Sequence, residues 1–209
     1  MKRHAPASRS GSKTGDIFRD FTESQLQKIG AIALAWNEVE FAIDCCLYSG
    51  LKLTGESWSS VLSRISANDK LELLLEITPV NSYPENLSES IKEVSKKASE
   101  LKDLRNNVVH CRIFDFSNSI GENIRKGGKI SQILLTEDSL QWLYECLVAL
   151  REEFICVNAL IDLNKNSLPH NQSNSFKEDE TVQRFVMRFQ KAREHQANLG
   201  KQTPKFISN

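Results

Sequence analysis

The sequence predicts an all-α fold, an up-and-down bundle of four to five core helices with a short extended or hairpin insertion after the fourth helix. Glycine and proline, which interrupt helices, supply only 14 of the 209 residues, against roughly 12% in an average protein. Most of them lie near the two ends or between residues 121 and 128. Elsewhere apolar residues recur at alternating spacings of three and four, which is typical of helices with one buried face.

Composition divides the chain into five segments. Residues 1–15 form a basic tail that is too poor in apolar side chains to fold, and residues 16–163 form the bundle, which has the size of one domain. A polar linker (164–180), a short amphipathic helix (181–198) and a second disordered tail (199–209) follow. The sequence contains neither a secretion signal nor an apolar run of about 18 residues, so we expect no membrane span and a cytoplasmic protein.

The first helix is predicted to begin after Thr22, because Gln25 three residues later completes a capping box. It is expected to end at Gly50. One member of its predicted buried stripe is a glutamate; the stripe comprises Leu26, Ile29, Ala33, Trp36, Glu40, Ile43 and Leu47.

Three helices are predicted next. The second is short, over 57–65, and the third has Asn68 as its N-cap and ends at Pro79. The fourth runs from about Ser88 to His110. One member of its stripe is an arginine; the stripe comprises Ile91, Val94, Ala98, Leu101, Arg105 and Val108.

The insertion after His110 alternates in CRIFDF and again in ISQILL, with a glycine-containing stretch between, which predicts a two-stranded hairpin or an extended loop. Thr136 then begins a fifth helix. Its apolar stripe is unbroken and comprises Leu140, Leu143, Leu147, Leu150, Phe154, Val157 and Ile161. The last helix, 181–198, would pack back or dock on a partner with Val182, Phe185, Val186 and Phe189.

Charge and cysteine usage exclude several classes of function. The net charge is zero and residues 16–163 carry 15 basic against 23 acidic side chains, which argues against broad coating of nucleic acid. Positive charge is local, with six basic and three acidic residues between Ile91 and Arg112. The five cysteines are odd in number and lack C-x-x-C spacing, so we expect no disulfide framework, no metal site and no cofactor.

The segment LRNNVVHCRIFDF places Arg105, Asn106 and His110 at the end of the fourth helix. The Arg-to-His spacing alone is expected ~0.6 times by chance in this composition, and an Asn directly after the Arg lowers that to ~0.05. Arg188 and His195 match the spacing too, but Phe189 follows that arginine.

With these residues the chain resembles the HEPN superfamily (higher eukaryote and prokaryote nucleotide-binding domains). Its members are helical bundles with an Arg, four to six residues and a His, often with a polar residue after the Arg. The segment AWNEVEFAI resembles the opening helix of bacterial members, and the resemblance spans Phe21 to about Leu163.

The resemblance implies a metal-independent endoribonuclease that acts as a homodimer with a composite Arg/His site and leaves a 2′,3′-cyclic phosphate. In that scheme His110 would deprotonate the ribose 2′-hydroxyl or protonate the leaving 5′-oxygen. Arg105 would stabilise the phosphorane charge, and Asn106 would hold His110 or a phosphate oxygen. The partners implied are RNA and, for a toxin or defence effector, a cognate antitoxin protein.

Structural explanations for the same residues remain open. Arg105 and Glu40 both occupy stripe positions, so an Arg–Glu pair would explain them, although Glu40 would also be able to aim the guanidinium. A histidine at a helix C-terminus is favoured by the helix dipole without any catalytic role. The alternative function is therefore a non-catalytic helical module that binds a protein or nucleotide partner.

Overall fold

The computed structural model describes residues 21–53, 57–110, 112–115, 120–124, 130–166 and 180–201. The tail predicted at 1–15 and most of the linker predicted at 164–180 lie outside these ranges. Over the described residues the chain forms six helices and three short strands: α1 (Glu23–Gly50), α2 (Ser57–Leu62), α3 (Ala67–Val80), α4 (Glu85–His110), β1 (Arg112–Asp115), β2 (Ile120–Ile124), β3 (Ile130–Leu134), α5 (Glu137–Asn166) and α6 (Glu180–Lys201). The predicted all-α helical bundle is confirmed. None of the described helices has an apolar stretch long enough to span a membrane.

The helix α1 starts where its capping box predicts. The Thr22 hydroxyl accepts from the Gln25 backbone N–H at 3.1 Å, and the Gln25 side chain accepts from the Thr22 N–H at 2.9 Å. The buried face is turned relative to the predicted stripe. Ile32, Val39 and Cys46 are fully buried, whereas four predicted members are only half-buried: Leu26, Ile29, Ala33 and Glu40. Because α1 packs against both α3 and α5, its buried surface is wider than one helical stripe.

Side-chain contacts show that α1 and α5 run in the same direction. Successive contacts advance together along both helices: Gln25 Nε2 to the Leu135 carbonyl at 2.9 Å, Lys28 Nζ to Gln141 Oε1 at 3.0 Å, and Ser49 Oγ to Asn158 Oδ1 at 2.8 Å. The two helices are therefore parallel neighbours, although more than 80 residues of chain separate them.

The helix α3 also runs parallel to α1. Lys70 Nζ lies 3.0 Å from Asp44 Oδ2, and farther along both helices Asn81 Nδ2 donates to the Gly50 carbonyl at 3.1 Å. The segment that contains α2 thus carries the chain back along α1 before α3 begins. The parallel direction of α1 and α3 departs from the predicted up-and-down order. The spacing of apolar residues does not specify the direction in which a helix runs.

Several helix ends differ from their predictions. The N-cap of α3 is Ser66, not Asn68, because the Ser66 hydroxyl accepts from the Asp69 N–H at 3.3 Å while the Asn68 side chain binds Lys102. Pro79 lies inside the last turn of α3, where it costs one helical hydrogen bond without stopping the helix. The helix α4 begins at Glu85, directly after Pro84, three residues before the predicted Ser88.

The insertion is a three-stranded antiparallel sheet in the order β1-β2-β3, where the sequence predicts at most two strands. The additional strand, β2, contains Gly121 and lies in the stretch assigned to a loop. Gly121 is buried and is paired with Ile113 on one side and Ile133 on the other. Glycine has no side chain, so Gly121 breaks the alternation of apolar and polar residues by which a strand is recognised in a sequence. The sequence pattern therefore does not predict β2.

The helix α5 supplies the centre of the core. All seven members of its predicted stripe are fully buried, from Leu140 to Ile161. Next to it, α6 packs back: the indole N–H of Trp142 donates to the Leu199 carbonyl at 2.7 Å, and Arg188 pairs with Glu152. The side chains of the apolar residues predicted to anchor α6 lie outside the described part of the chain: Val182, Phe185, Val186 and Phe189.

A buried ion pair joins α4 to α5. The Glu153 carboxylate is fully buried and lies 3.0 Å from Lys97 Nζ, which is 30% exposed. Burial raises the pKa of Glu153, and the attraction of Lys97 opposes that rise. The ionised carboxylate therefore depends mainly on Lys97, and the more distant Arg193 lowers its pKa as well.

The two glycines of α1 predict opposite responses to the same substitution. At Gly30 a Cβ atom meets nothing within 4 Å, so Gly30→Ala should raise the free energy of unfolding by about 1 kcal/mol through helix propensity. At Gly50 the Cβ would lie 2.6 Å from Ile77 Cδ1 and 3.3 Å from the Tyr83 hydroxyl, so Gly50→Ala should cost about 1–3 kcal/mol. Urea denaturation of both variants tests the contrast, and the same sign at both sites would contradict this packing of α1 on α3.

Removing Lys97 should destabilise the fold in a pH-dependent way. Lys97→Met leaves the Glu153 carboxylate unpaired and raises its pKa further, at a cost of about 3 kcal/mol at pH 8. As the pH falls, the Glu153 carboxyl, whose pKa is raised in the folded state, becomes protonated, and the penalty for burying its unpaired charge disappears. The loss of stability should therefore be smaller at pH 5. The double variant Lys97→Met/Glu153→Met is the control and should recover most of the stability. An equal loss at both pH values in urea denaturation would refute the role of Glu153.

Candidate functional site

The predicted site residues lie in the last two turns of α4. Arg105 and Asn106 are half-buried, and His110, the final residue of the helix, is exposed. At about 100° per residue, the side chains of Arg105 and His110 leave the helix axis about 140° apart. The helix thus carries the cation partly inside the bundle and the imidazole at its open end.

Asn106 is bonded to the arginine and not to the histidine. Arg105 Nη1 donates to Asn106 Oδ1 at 3.0 Å. No hydrogen bond among the described residues joins Asn106 to His110, so the predicted role of Asn106 in orienting the imidazole is not seen. Fixing the guanidinium from the adjacent residue limits its rotamers and presents its remaining N–H groups in a set direction.

The guanidinium of Arg105 is incompletely satisfied. Its Nε atom is buried and has no hydrogen-bond partner among the described residues. A buried donor without an acceptor costs about 1–3 kcal/mol. An ordered water, an ion or a ligand can supply the acceptor that such a donor lacks.

Glu40 does not form the ion pair with Arg105 that would explain both residues structurally. Its carboxylate accepts from the indole N–H of Trp36 at 2.6 Å, one turn away on α1. Trp36 is 2% exposed, and a buried indole N–H requires an acceptor. No Glu40–Arg105 ion pair is found within the described part of the chain, so Glu40 supports the core through Trp36.

The positive charge of α4 is partly neutralised. Lys97 pairs with Glu153, and Lys102 Nζ lies 3.5 Å from Asp103 Oδ1. Among the described residues, Arg105, Lys92 and Lys96 have no carboxylate partner. The last two line a groove of about 240 Å³ between α3 and α4, which the motif residues do not line. The local basic surface predicted for α4 is therefore divided between the groove and Arg105.

The described cysteines are unsuited to nucleophilic chemistry. Burial raises the pKa of Cys46 well above its ordinary value, that of Cys146 to about 12 and that of Cys156 to about 11. Thiols in such surroundings stay protonated near neutral pH and are inert. Over the described residues, no group of three or more His, Cys, Asp or Glu side chains is arranged to hold a metal ion.

No protein-family model, curated protein or solved structure matches this chain. The resemblance to the HEPN superfamily therefore rests on the motif residues and their place in the fold.

Proposed function

We propose that this protein is a metal-independent endoribonuclease of the HEPN type that acts as a dimer. One observation carries the proposal: at the open end of α4, a guanidinium held by Asn106 retains an unsatisfied buried donor, with an exposed imidazole five residues further along. A guanidinium that stabilises charge and an imidazole that moves a proton, both at one helix end, suit phosphodiester cleavage.

Each side chain has a defined part in the proposed reaction. His110 accepts the proton of the ribose 2′-hydroxyl as that oxygen attacks phosphorus. The bond from phosphorus to the 5′-oxygen then breaks, and the leaving oxygen takes up a proton from water, to which the His110 imidazolium returns its own. Arg105 stabilises the added negative charge on the phosphoryl oxygens with its planar guanidinium. Asn106 acts as a positioning residue, because it contacts the guanidinium.

The directions of the two side chains support a dimer. Because Arg105 and His110 diverge by about 140° around α4, one copy offers an RNA strand only part of the site on either face. A second copy that supplies the complementary residue completes a cleft. Cleavage of cellular RNA by such a site suits a cytoplasmic toxin or defence effector that a cognate antitoxin protein restrains.

The first experiment is RNA cleavage in EDTA by the full-length protein and three variants. Arg105→Ala should lower the rate by about 10²–10³-fold through lost charge stabilisation, and His110→Ala by about 10²–10⁴-fold through lost proton transfer. Asn106→Ala should slow cleavage less, because the guanidinium loses only its anchor. Gel analysis of a labelled RNA measures these rates.

The second match to the motif supplies the control. His195 is an exposed histidine on α6 that follows Arg188 at a permitted spacing, so His195→Ala removes the same side chain from outside the proposed site. It should cleave at the wild-type rate. Equal cleavage by all the variants, or none by the wild-type protein, would refute the assignment.

A second candidate function is the non-catalytic helical module. It is favoured by the bonding of Asn106 to Arg105, which leaves His110 without a hydrogen-bonded partner among the described residues. Expression of the wild-type protein alone distinguishes the two: a nuclease toxin arrests growth, whereas a binding module does not.

A further inference from the structure

The groove between α3 and α4 carries two lysines of α4. It has a volume of about 240 Å³, and Lys92 and Lys96 line it one turn apart. Both residues are exposed, and neither has a carboxylate partner among the described residues. The acid among the described residues that line the groove is Glu72 of α3, which is exposed as well. Two cations against one acid leave the groove with a net positive charge.

The groove also holds a polar group without a partner. Ser95 lines it from the turn between the two lysines and is 3% exposed. The Ser95 hydroxyl oxygen is buried and has no hydrogen-bond partner among the described residues. A phosphate oxygen in the groove, or a water that the phosphate orders, can supply that partner.

The lining of the groove suits a sugar-phosphate backbone better than bases. Leu71 and Leu75 of α3 contribute an apolar wall, but none of the described lining residues is aromatic. Proteins that bind the bases of a single strand stack them on aromatic side chains. Lysines, in contrast, contact phosphates and carry no sequence information. The groove is therefore equipped to hold a strand by its phosphates, whatever its sequence.

Lys92 lies on the same face of α4 as His110. The two are 18 residues apart, which is about five full turns, so both side chains leave the helix axis in the same direction. Lys96 is about 40° from that direction, and the two lysines lie about 27 and about 21 Å from His110 along the axis. Asp103 lies on this face as well, but Lys102 Nζ, 3.5 Å from its carboxylate, offsets its charge.

The groove opens towards the end of α4 that carries His110. A short turn joins α3 to α4, and the two helices run antiparallel, so the start of α3 lies beside Lys102, which binds Asn68. The helix α4 continues for about two turns beyond this contact before it ends at His110. A strand in the groove therefore reaches the imidazole by following one face of a single helix.

We infer that this groove binds the phosphate backbone of a single-stranded RNA whose cleaved bond lies at His110 of the same chain. The inference rests on the proposed function for the position of that bond. Stacked nucleotides rise about 3.4 Å along one strand, so the groove lies about six to eight nucleotides from the cleaved bond. Lys92 and Lys96 are about 6 Å apart along the axis, and they contact phosphates about one or two nucleotides apart.

The shared face explains why the occupant is a strand and not a small anion. A single phosphate or carboxylate can contact only the groove or only the end of the helix. A strand contacts both at once, and binding at one place raises the effective concentration of the strand at the other. The two lysines then help to bind long substrates without touching the reacting atoms.

Binding of an RNA that cannot be cleaved tests the groove directly. A 20-nucleotide RNA with 2′-O-methyl groups lacks the attacking hydroxyl, and fluorescence anisotropy measures its Kd with the full-length protein. Lys92→Gln/Lys96→Gln should raise Kd about tenfold and reduce the slope of log Kd against log salt by about 1.4, because each phosphate contact on a single strand contributes about 0.7. The circular dichroism spectrum should not change, since both lysines are exposed.

Two further variants are the controls for binding. Glu72→Gln removes the acid that lines the groove, so it should lower Kd, the opposite of the lysine variant. Lys191→Gln removes an exposed lysine of α6 from outside the groove and should leave both Kd and the salt slope unchanged.

Substrate length separates this inference from the proposed function. In EDTA, kcat/KM should be higher for a 20-nucleotide RNA than for a trinucleotide, which is too short to reach from His110 to Lys96. The double lysine variant should reduce that ratio about tenfold, because only the long substrate contacts the groove.

The possible outcomes decide between the two proposals. The inference would be overturned, even if RNA is cleaved, by a wild-type protein that does not bind the RNA or by a double variant with unchanged Kd, salt slope or length ratio. An equal loss of binding in Lys191→Gln would overturn it too. Binding that depends on Lys92 and Lys96, without cleavage of any RNA, would support the groove and refute only the proposed function.

Discussion

The register between α1 and α5 is the constraint on which the rest of the structure depends. Polar side chains fix it near both ends: Gln25 binds the Leu135 carbonyl at one end, and Ser49 binds Asn158 at the other. Slipping the helices by one turn would break these bonds and displace the apolar side chains packed between them. With the pair fixed, α3 and α4 cover its inner side and α6 packs back on α5, while the outer stripes stay exposed.

This scaffold determines the setting of α4 and of the motif at its end. The Lys97–Glu153 pair holds α4 on α5, and it also removes one lysine from the charge available near Arg105. Since Lys102 is engaged as well, Arg105 is the cation of the last two turns of α4 that has no carboxylate partner among the described residues. Among the described residues of α4, the fold therefore leaves few positive groups unpaired, in keeping with a chain whose net charge is zero.

The sequence predicts best where one physical signal acts alone. The stripe of α5 is correct at each position because a long amphipathic period has no competing pattern, and the Thr22 capping box specifies the start of α1 locally. The predicted N-cap of α3 is wrong because Asn68 and Ser66 are both good N-caps. The Asn68 side chain instead binds Lys102 on α4, a contact that the local sequence does not encode. The third strand was missed because Gly121 interrupts its alternation.

Prediction from sequence is limited in the same way at the candidate site. The order of Arg105, Asn106 and His110 at a helix end follows from the sequence, but their partners depend on rotamers and on which helices meet. Glu40 accepts a hydrogen bond from Trp36 because the two residues lie four apart on one helix. This local hydrogen bond competes with any contact that Glu40 could make across the bundle. The parallel direction of α1 and α5 follows from tertiary contacts that no local period encodes.

The chemistry of the RNA ends tests the central claim most directly. If the 2′-hydroxyl is the nucleophile, mass spectrometry of the products formed in EDTA will show a 2′,3′-cyclic phosphate on one fragment and a 5′-hydroxyl on the other. A 2′-deoxy substitution at the cleavage position will abolish that cut. Fragments ending in a 3′-hydroxyl and a 5′-phosphate, or cleavage that survives the 2′-deoxy substitution, would contradict the account.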